Sequence, residues 1–236
     1  MTKALVVLSG GQDSTTCLYW TKREFEDVQA VTFDYGQRHE REIKAAITVA
    51  QLAGVPHEIV SARHLLRSRS PLTDPDAALE TYADYSSMDA IIGQRVELTF
   101  VPMRNAFFLT LAANIAVAME CFTVVIGVCE QDNANYPDCR AAFINEQERT
   151  INMALGLRPH TFKIEAPLIT MSKAHTVRLA RELPGCWDAL AYSHTCYAGE
   201  FPPCGVCHAC VLRAHGFELA QEIDPLVARG REAAAA

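Results

Sequence analysis

Between an apolar run and a helical pattern the chain reads Leu8-Ser9-Gly10-Gly11-Gln12-Asp13-Ser14-Thr15-Thr16. Two glycines let a backbone approach an anion closely. A helix N-terminus adds unpaired N–H groups and the positive end of the helix dipole. Ser9, Ser14 and Thr15 contribute hydroxyl donors, and Asp13 can cap the helix or help to hold a magnesium ion. The chemistry to expect is binding of a phosphate or pyrophosphate. The loop contains no lysine and fits neither G-x-x-x-x-G-K-[ST] nor G-x-G-x-x-G. Taken alone, it also fits a glycine turn with an Asp/Ser helix cap.

A second group lies near the other end. Cys196, Cys204, Cys207 and Cys210 are set among Gly199, Pro202, Pro203 and Gly205, the last three cysteines spaced C-x2-C-x2-C. Four thiolates on a turn-rich loop suit tetrahedral zinc. The rival is an iron–sulfur cluster, whose ferredoxin-type run needs a fourth cysteine followed by proline. Here Val211-Leu212-Arg213 leads to Ala214, so zinc in a structural role is favoured. His194, His208 and His215 are spare ligands, read as neighbours of the cluster or surface groups. Cys17, Cys121 and Cys186 read as small core residues, and Cys129 and Cys139 fall on a polar loop.

Polar residues also gather where loops should follow strands. Phe33-Asp34-Tyr35-Gly36-Gln37-Arg38-His39 is one such place, and Val101-Pro102-Met103-Arg104-Asn105 precedes a long helical pattern. Gly127-Val128-Cys129-Glu130 runs on to Tyr136-Pro137-Asp138-Cys139-Arg140, and Ala166-Pro167-Leu168 leads to Ser172-Lys173. Each has a plainer alternative. Asn105 can be an N-cap behind a helix-entry arginine, Tyr136-Pro137-Asp138 is a good turn, and Lys173 can be a surface lysine.

The elements that must position these groups alternate. Strands are expected at Ala4–Leu8, Val28–Phe33, His57–Val60, Thr123–Val128 and Phe162–Glu165. Helices are expected at Ser14–Lys22, Arg38–Leu52, Asn105–Cys121, Phe143–Leu155 and Ser172–Leu183, with Gly54 as a C-cap. Such alternation predicts an α/β fold: a doubly wound, mostly parallel sheet that binds ligands beyond the carboxyl ends of its strands, with a small C-terminal zinc-binding subdomain. Residues 1–186 form the expected catalytic domain, 61–95 a lid or mobile insertion, and 187–230 the zinc-binding segment.

Composition narrows the classes. Half of the 236 residues are hydrophobic, so a sizeable core is expected. The formal net charge is −7 with no lysine/arginine tract, which argues against direct nucleic-acid binding. The apolar stretch Ala106–Met119 is broken by Asn114 and falls short of the ~18–20 residues of a membrane span. Met1-Thr2-Lys3 leads into an apolar run too short for a signal peptide. A cytoplasmic protein with metal-binding rather than disulfide-bonded cysteines is therefore expected.

Ser9-Gly10-Gly11-Gln12-Asp13-Ser14-Thr15 resembles the SGGxDS[ST] signature of the PP-loop ATP pyrophosphatase superfamily, which has an adenine-nucleotide alpha-hydrolase-like fold. With Phe33–His39, Tyr136–Arg140, the late lysine and the cysteine-rich tail in order, the chain is similar to the 7-cyano-7-deazaguanine synthase family. That resemblance implies ATP-dependent conversion of 7-carboxy-7-deazaguanine and ammonia to the nitrile in queuosine biosynthesis, with magnesium, one zinc ion and a homodimer. It implies catalytic roles for Asp13, Lys173 and Arg104. ATP would be bound by Leu8, Ser9, Gly10, Gly11, Gln12, Asp13, Ser14, Thr15, Thr16, Cys17 and Leu18. The deazapurine would meet Gln37, Arg38, Asp132, Tyr136 and Asp138, and zinc would sit on Cys196, Cys204, Cys207 and Cys210. Two departures stand out: the family usually has glycine at Met103 and Ser-Gly at Ala134-Asn135. Asn135 can adopt a positive φ, whereas Met103 is expected to narrow the pocket. The alternatives are a tRNA-modifying sulfurtransferase of the same superfamily and a non-catalytic zinc-binding regulator.

Overall fold

Five short apolar strands line up side by side in the computed structural model, which describes residues 2–131 and 134–235. In chain order the first elements are β1 (Lys3–Val7), α1 (Gln12–Glu24), β2 (Asp27–Asp34), α2 (Arg41–Ala53), β3 (His57–Ser61) and α3 (Tyr85–Ile92). Then come α4 (Arg104–Ala118), β4 (Thr123–Ile126), α5 (Ala141–Ala154), β5 (Lys163–Glu165) and α6 (Lys173–Glu182). The chain closes with α7 (Cys186–Leu190), α8 (His208–Ala220) and α9 (Pro225–Ala235). The strands pair in the order β3-β2-β1-β4-β5, every pairing parallel.

A parallel sheet is covered on both faces, so its central strand must be apolar on both. Alternate residues of β1 accordingly enter two cores. Ala4 and Val6, with Leu8 just beyond, pack against Leu18 of α1, Val49 of α2 and Val177 of α6. Leu5 and Val7 face Phe108, Leu109 and Ala112 of α4 and Ile144 of α5. All five expected strands are present, and each expected helix is found with ends displaced by a few residues. Gly54 caps α2 at φ +64, as its place in the sequence suggested. No helix among the described residues is long and apolar enough to cross a membrane.

The segment expected to be a lid or mobile insertion carries α3. Its first turn is held by a reciprocal cap: the Asp84 carboxylate accepts from the Ser87 amide at 2.8 Å, and the Ser87 hydroxyl accepts from the Asp84 amide at 3.1 Å. Met88 and Ile92 are buried against Val211 and Leu212 of α8.

The C-terminal helices rest on the sheet domain. Arg213 of α8, 3% exposed, donates from Nε and Nη2 to Asp224 at 2.6 and 2.8 Å and from Nη1 to Ser193 at 2.8 Å. A buried arginine is tolerable only when paired in this way. Gly216 packs on α6, where a Cβ would come within 2.6 Å of the Lys173 side chain.

Of the two departures, Asn135 behaves as the sequence suggested and Met103 does not. Asn135 adopts φ +54, and its amide donates to the carbonyls of Gly93 and Arg95 at 3.0 Å, fixing the turn. Met103 adopts φ +66 at the N-cap of α4, and its side chain is 67% exposed and does not line the cavity. A glycine there would relieve backbone strain; the expectation that Met103 narrows the pocket is incorrect.

Candidate active site and metal centre

The carboxyl ends of β1, β2 and β4 open into a cavity. Ser9, Gly11, Gln12, Asp13 and Ser14 form its floor. The two serine hydroxyls lie 3.0 Å apart, and the Ser14 Oγ accepts from the Ser9 amide at 3.2 Å. The Gly11 amide donates to the Ser9 Oγ at 3.3 Å. Gly10 has φ +84, and any Cβ there would lie 2.4 Å from the Glu42 carbonyl oxygen, so only glycine lets this loop pass α2. The Gly10 carbonyl accepts from the His194 amide at 2.7 Å, which ties the start of the cysteine-rich segment to the loop.

Not all of the expected ATP set faces the cavity. Leu8 does, but Gly10, Thr15, Thr16, Cys17 and Leu18 are not among its lining residues. Cys17 and Leu18 are fully buried in the core, where desolvation pushes the Cys17 thiol well up. The sequence motif therefore extends past the exposed part of the loop into the helix that holds it.

Lys173 opens α6 after the Ser172 cap and donates to Asp13 Oδ2 at 2.7 Å. The pair lines the cavity and is mostly buried, so Lys173 is not a surface lysine. Arg104 lines it too and donates to the Tyr35 hydroxyl at 3.5 Å. Close by, Glu42 from the first turn of α2 reaches the cavity; burial lifts its carboxyl to about 7 while the Arg104 charge pulls it down.

The residues expected to meet a deazapurine separate. Gln37 and Tyr136 line the cavity. Tyr136 is buried, and its hydroxyl meets Glu97 Oε2 at 3.4 Å and the Thr99 hydroxyl. Arg38 lies outside and donates to the carbonyls of Pro71 and Ala77 at 3.3 and 2.9 Å. Asp138 is buried but does not line the cavity. Its Oδ2 accepts from the Asn105 amide at 3.1 Å and its carbonyl accepts from Asn105 Nδ2 at 3.0 Å. It thus satisfies the N-terminus of α4, and burial raises its carboxyl despite that hydrogen bond. Asp132 lies outside the described residues.

Other cavity residues were not among the expected contacts, although Arg140 belongs to the Tyr136–Arg140 motif. Arg140 donates to the Glu130 carbonyl at 2.6 Å and to Asn135 Oδ1 at 3.2 Å. Thr195, Tyr197 and His208 come from the cysteine-rich segment and join the wall only through the tertiary fold. Their nearness to the cysteines in sequence suggested a metal, not a cavity.

The four cysteines converge. Their sulfurs all lie within 4.8 Å of one another, with Cys204 and Cys210 3.9 Å apart. Zinc–sulfur bonds of ~2.3 Å in a tetrahedron demand sulfur–sulfur edges of ~3.8 Å. All four are free thiols, and amide N–H groups of Cys204 and Cys207 donate to sulfur at 3.4 Å, as they would to thiolates. This is a metal site in its donor set and its spacing.

Comparison with known proteins agrees with this geometry. A family model described as Queuosine biosynthesis protein QueC matches residues 3–221. A 7-cyano-7-deazaguanine synthase of Gloeobacter violaceus is 46% identical over 229 residues, covering 96% of each chain. One from Laribacter hongkongensis is 47% identical over 227 residues, covering 96% of this chain and 94% of its own. A third, from Chromobacterium violaceum, is 46% identical over 230 residues with the same two coverages.

Proposed function

The chain belongs to the queuosine biosynthesis protein QueC family, and from that premise we propose that it is an ATP-dependent C–N ligase forming 7-cyano-7-deazaguanine from 7-carboxy-7-deazaguanine and ammonia. The observation that carries the reading is one cavity with a lysine-completed phosphate loop at its floor and an aromatic, hydrogen-bonding wall above it.

The chemistry explains why both ends are needed. A carboxylate resists ammonia until one of its oxygens becomes a leaving group. Its oxygen attacks the α-phosphorus of ATP, the bond to the β-phosphate breaks, and pyrophosphate leaves. Ammonia then displaces AMP and gives the amide. A second attack, by the amide oxygen, again releases pyrophosphate and, with loss of one N–H proton, leaves an adenylated imidate. Loss of AMP and the remaining N–H proton completes the nitrile.

Each residue has a task in this scheme. Ser9, Gly11 and Ser14 hold the leaving pyrophosphate. Lys173 and Arg104 offset negative charge growing on the phosphates, the kind of preorganised stabilisation that carries most in a water-poor site. Asp13 orients Lys173 and, with phosphate oxygens, would hold magnesium, which commonly binds through one or two carboxylates plus phosphates. Bound magnesium would neutralise phosphate charge. Gln37 and Tyr136 contact the deazapurine, and Asp138 fixes the N-terminus of α4, from which Arg104 reaches the cavity.

We take the metal to be zinc: sulfurs this close suit a single tetrahedral ion rather than a cluster of irons, and four thiolates are a common structural zinc set. It would fasten the cysteine loop beneath α8. We also place the enzyme in the cytoplasm as a homodimer that does not bind nucleic acid directly; its net charge of −7 supports the last point.

The test supplies the protein with ATP, magnesium and ammonium, with and without 7-carboxy-7-deazaguanine. AMP and pyrophosphate should form only with the heterocycle, together with a nitrile by mass. ADP in place of AMP, or AMP independent of the heterocycle, rules the reading out.

A further inference from the structure

One side chain on the aromatic wall differs from its neighbours in how its polar atoms are satisfied. His208, the first residue of α8, is 3% exposed and lines the cavity. Neither its Nδ1 nor its Nε2 has a hydrogen-bond partner among the described residues. An imidazole always carries an N–H, and a neutral one also offers a lone pair. Burying both without partners is penalised, whereas a phenylalanine would fill similar volume without that penalty.

The surroundings hold this ring by shape alone. It lies nearly parallel to Tyr197, at 9° with centroids 6.5 Å apart, and edge-on to Tyr82 at 77°. The other polar groups of this wall are already paired: Tyr197 with Tyr136, and Tyr136 with Thr99 and Glu97. Cys207 precedes His208 directly, so the metal loop fixes where α8 begins and where the ring stands. The hydrogen-bonding capacity of His208 is therefore held in place, in a cavity, without an internal partner.

Two flat heterocycles enter the proposed reaction. Adenine is tethered to the phosphate loop through its own ribose and phosphates. The deazapurine has no such tether, and its position depends on groups of the wall. We propose that His208 is a specificity-determining contact to the acceptor substrate, hydrogen-bonding the donor-and-acceptor edge of a planar, guanine-like heterocycle. This rests on the function proposed above and adds the residue that distinguishes its substrate from other flat carboxylates.

Two variants of the full-length, metal-loaded protein test it: His208→Phe, which keeps the ring and removes the polar atoms, and His208→Gln, which keeps a donor and an acceptor. Metal content, thermal midpoint, KM for ATP, KM for 7-carboxy-7-deazaguanine and calorimetric binding of that heterocycle without ATP are compared with the wild type. For His208→Phe, affinity for the heterocycle should fall about tenfold to hundredfold. Its KM for ATP should stay within about twofold and its metal content unchanged, and its thermal midpoint should be equal or higher, because an unpaired polar group has gone. His208→Gln should lose less affinity. Unchanged heterocycle affinity in the phenylalanine variant overturns the assignment, as does a rise confined to ATP. Loss of metal and a lower midpoint in both variants would make His208 a support for the cysteine loop and also overturn it. If the wild type neither binds nor converts the heterocycle while releasing AMP with another substrate, the parent reading falls, and this assignment with it.

Discussion

The two ends of the cavity are built on opposite plans. The phosphate floor is one contiguous stretch, Ser9–Ser14, whose backbone and hydroxyls are set by a single strand–helix turn and completed by one distant residue, Lys173. The aromatic wall is assembled from pieces far apart in sequence: Gln37 after β2, Tyr136 after β4, and Tyr197 and His208 around the cysteine loop. A phosphate can be gripped by local geometry because every N–H at a helix start points the same way. A heterocycle needs donors and acceptors around its rim, which no single turn supplies. The metal site serves the second plan by fixing the loop from which two wall residues come.

Breaking the metal site should have the largest effect. Cys207→Ser or Cys210→Ser, or a chelator, should remove the metal, because structural zinc contributes on the order of 10 kcal/mol to the fold of its site. α8 should loosen with it, which metal analysis and a fall in thermal midpoint would register. An unchanged midpoint in the metal-free protein would show that the two ends are independent.

Lys173→Ala comes next. It should lower kcat by about a hundredfold to a thousandfold, the typical cost of one charge-stabilising donor, with little change in heterocycle affinity. Lys173→Arg should recover part of the rate. A KM effect on the heterocycle alone would move Lys173 from the floor to the wall.

Asp138→Ala separates support from contact. It strands the Asn105 amide in the interior, so stability should drop by about 1–3 kcal/mol in denaturant titration. Any loss of heterocycle affinity should be secondary to that. Full stability with weakened binding would return Asp138 to direct contact with substrate.

Met103→Gly should have the smallest effect, on the wall side. At φ +66 glycine removes a left-handed penalty of about 1 kcal/mol, so the thermal midpoint should rise by a few degrees with kinetics unchanged. A large change in KM would mean that the exposed Met103 side chain does reach the substrate.

The same contrast decides what was legible in the sequence. The phosphate floor could be read because its residue types, spacing and strand–helix context are all local, and the cysteines because thiols so close together have few other uses. The sheet was legible from its apolar runs, since its central strands β1, β2 and β4 are buried along much of their length, whereas the edge strand β3 is largely exposed and gave a weaker signal. The short helix α3 was not: eight residues give too little periodicity, although Asp84 and Ser87 would have marked its cap. Nor was the wall. Asp138 looked like a reader of the substrate because an acid beside an aromatic suits a guanine edge, and only the fold shows that its carboxylate is turned to Asn105. Cys17 and Leu18 entered the ATP set by adjacency, and the helix period carries both into the core. Glu42 and His208 lie in the cavity through helix placements that no run of residues announces.

The most direct test of adenylation follows an isotope. 7-Carboxy-7-deazaguanine labelled with oxygen-18 in both carboxyl oxygens is turned over with unlabelled ATP, and the released nucleotide and pyrophosphate are examined by mass. Each carboxyl oxygen should leave on AMP, one label per AMP and two AMP per nitrile, with none in pyrophosphate. Unlabelled AMP, or label in a phosphate released alongside ADP, would contradict the account.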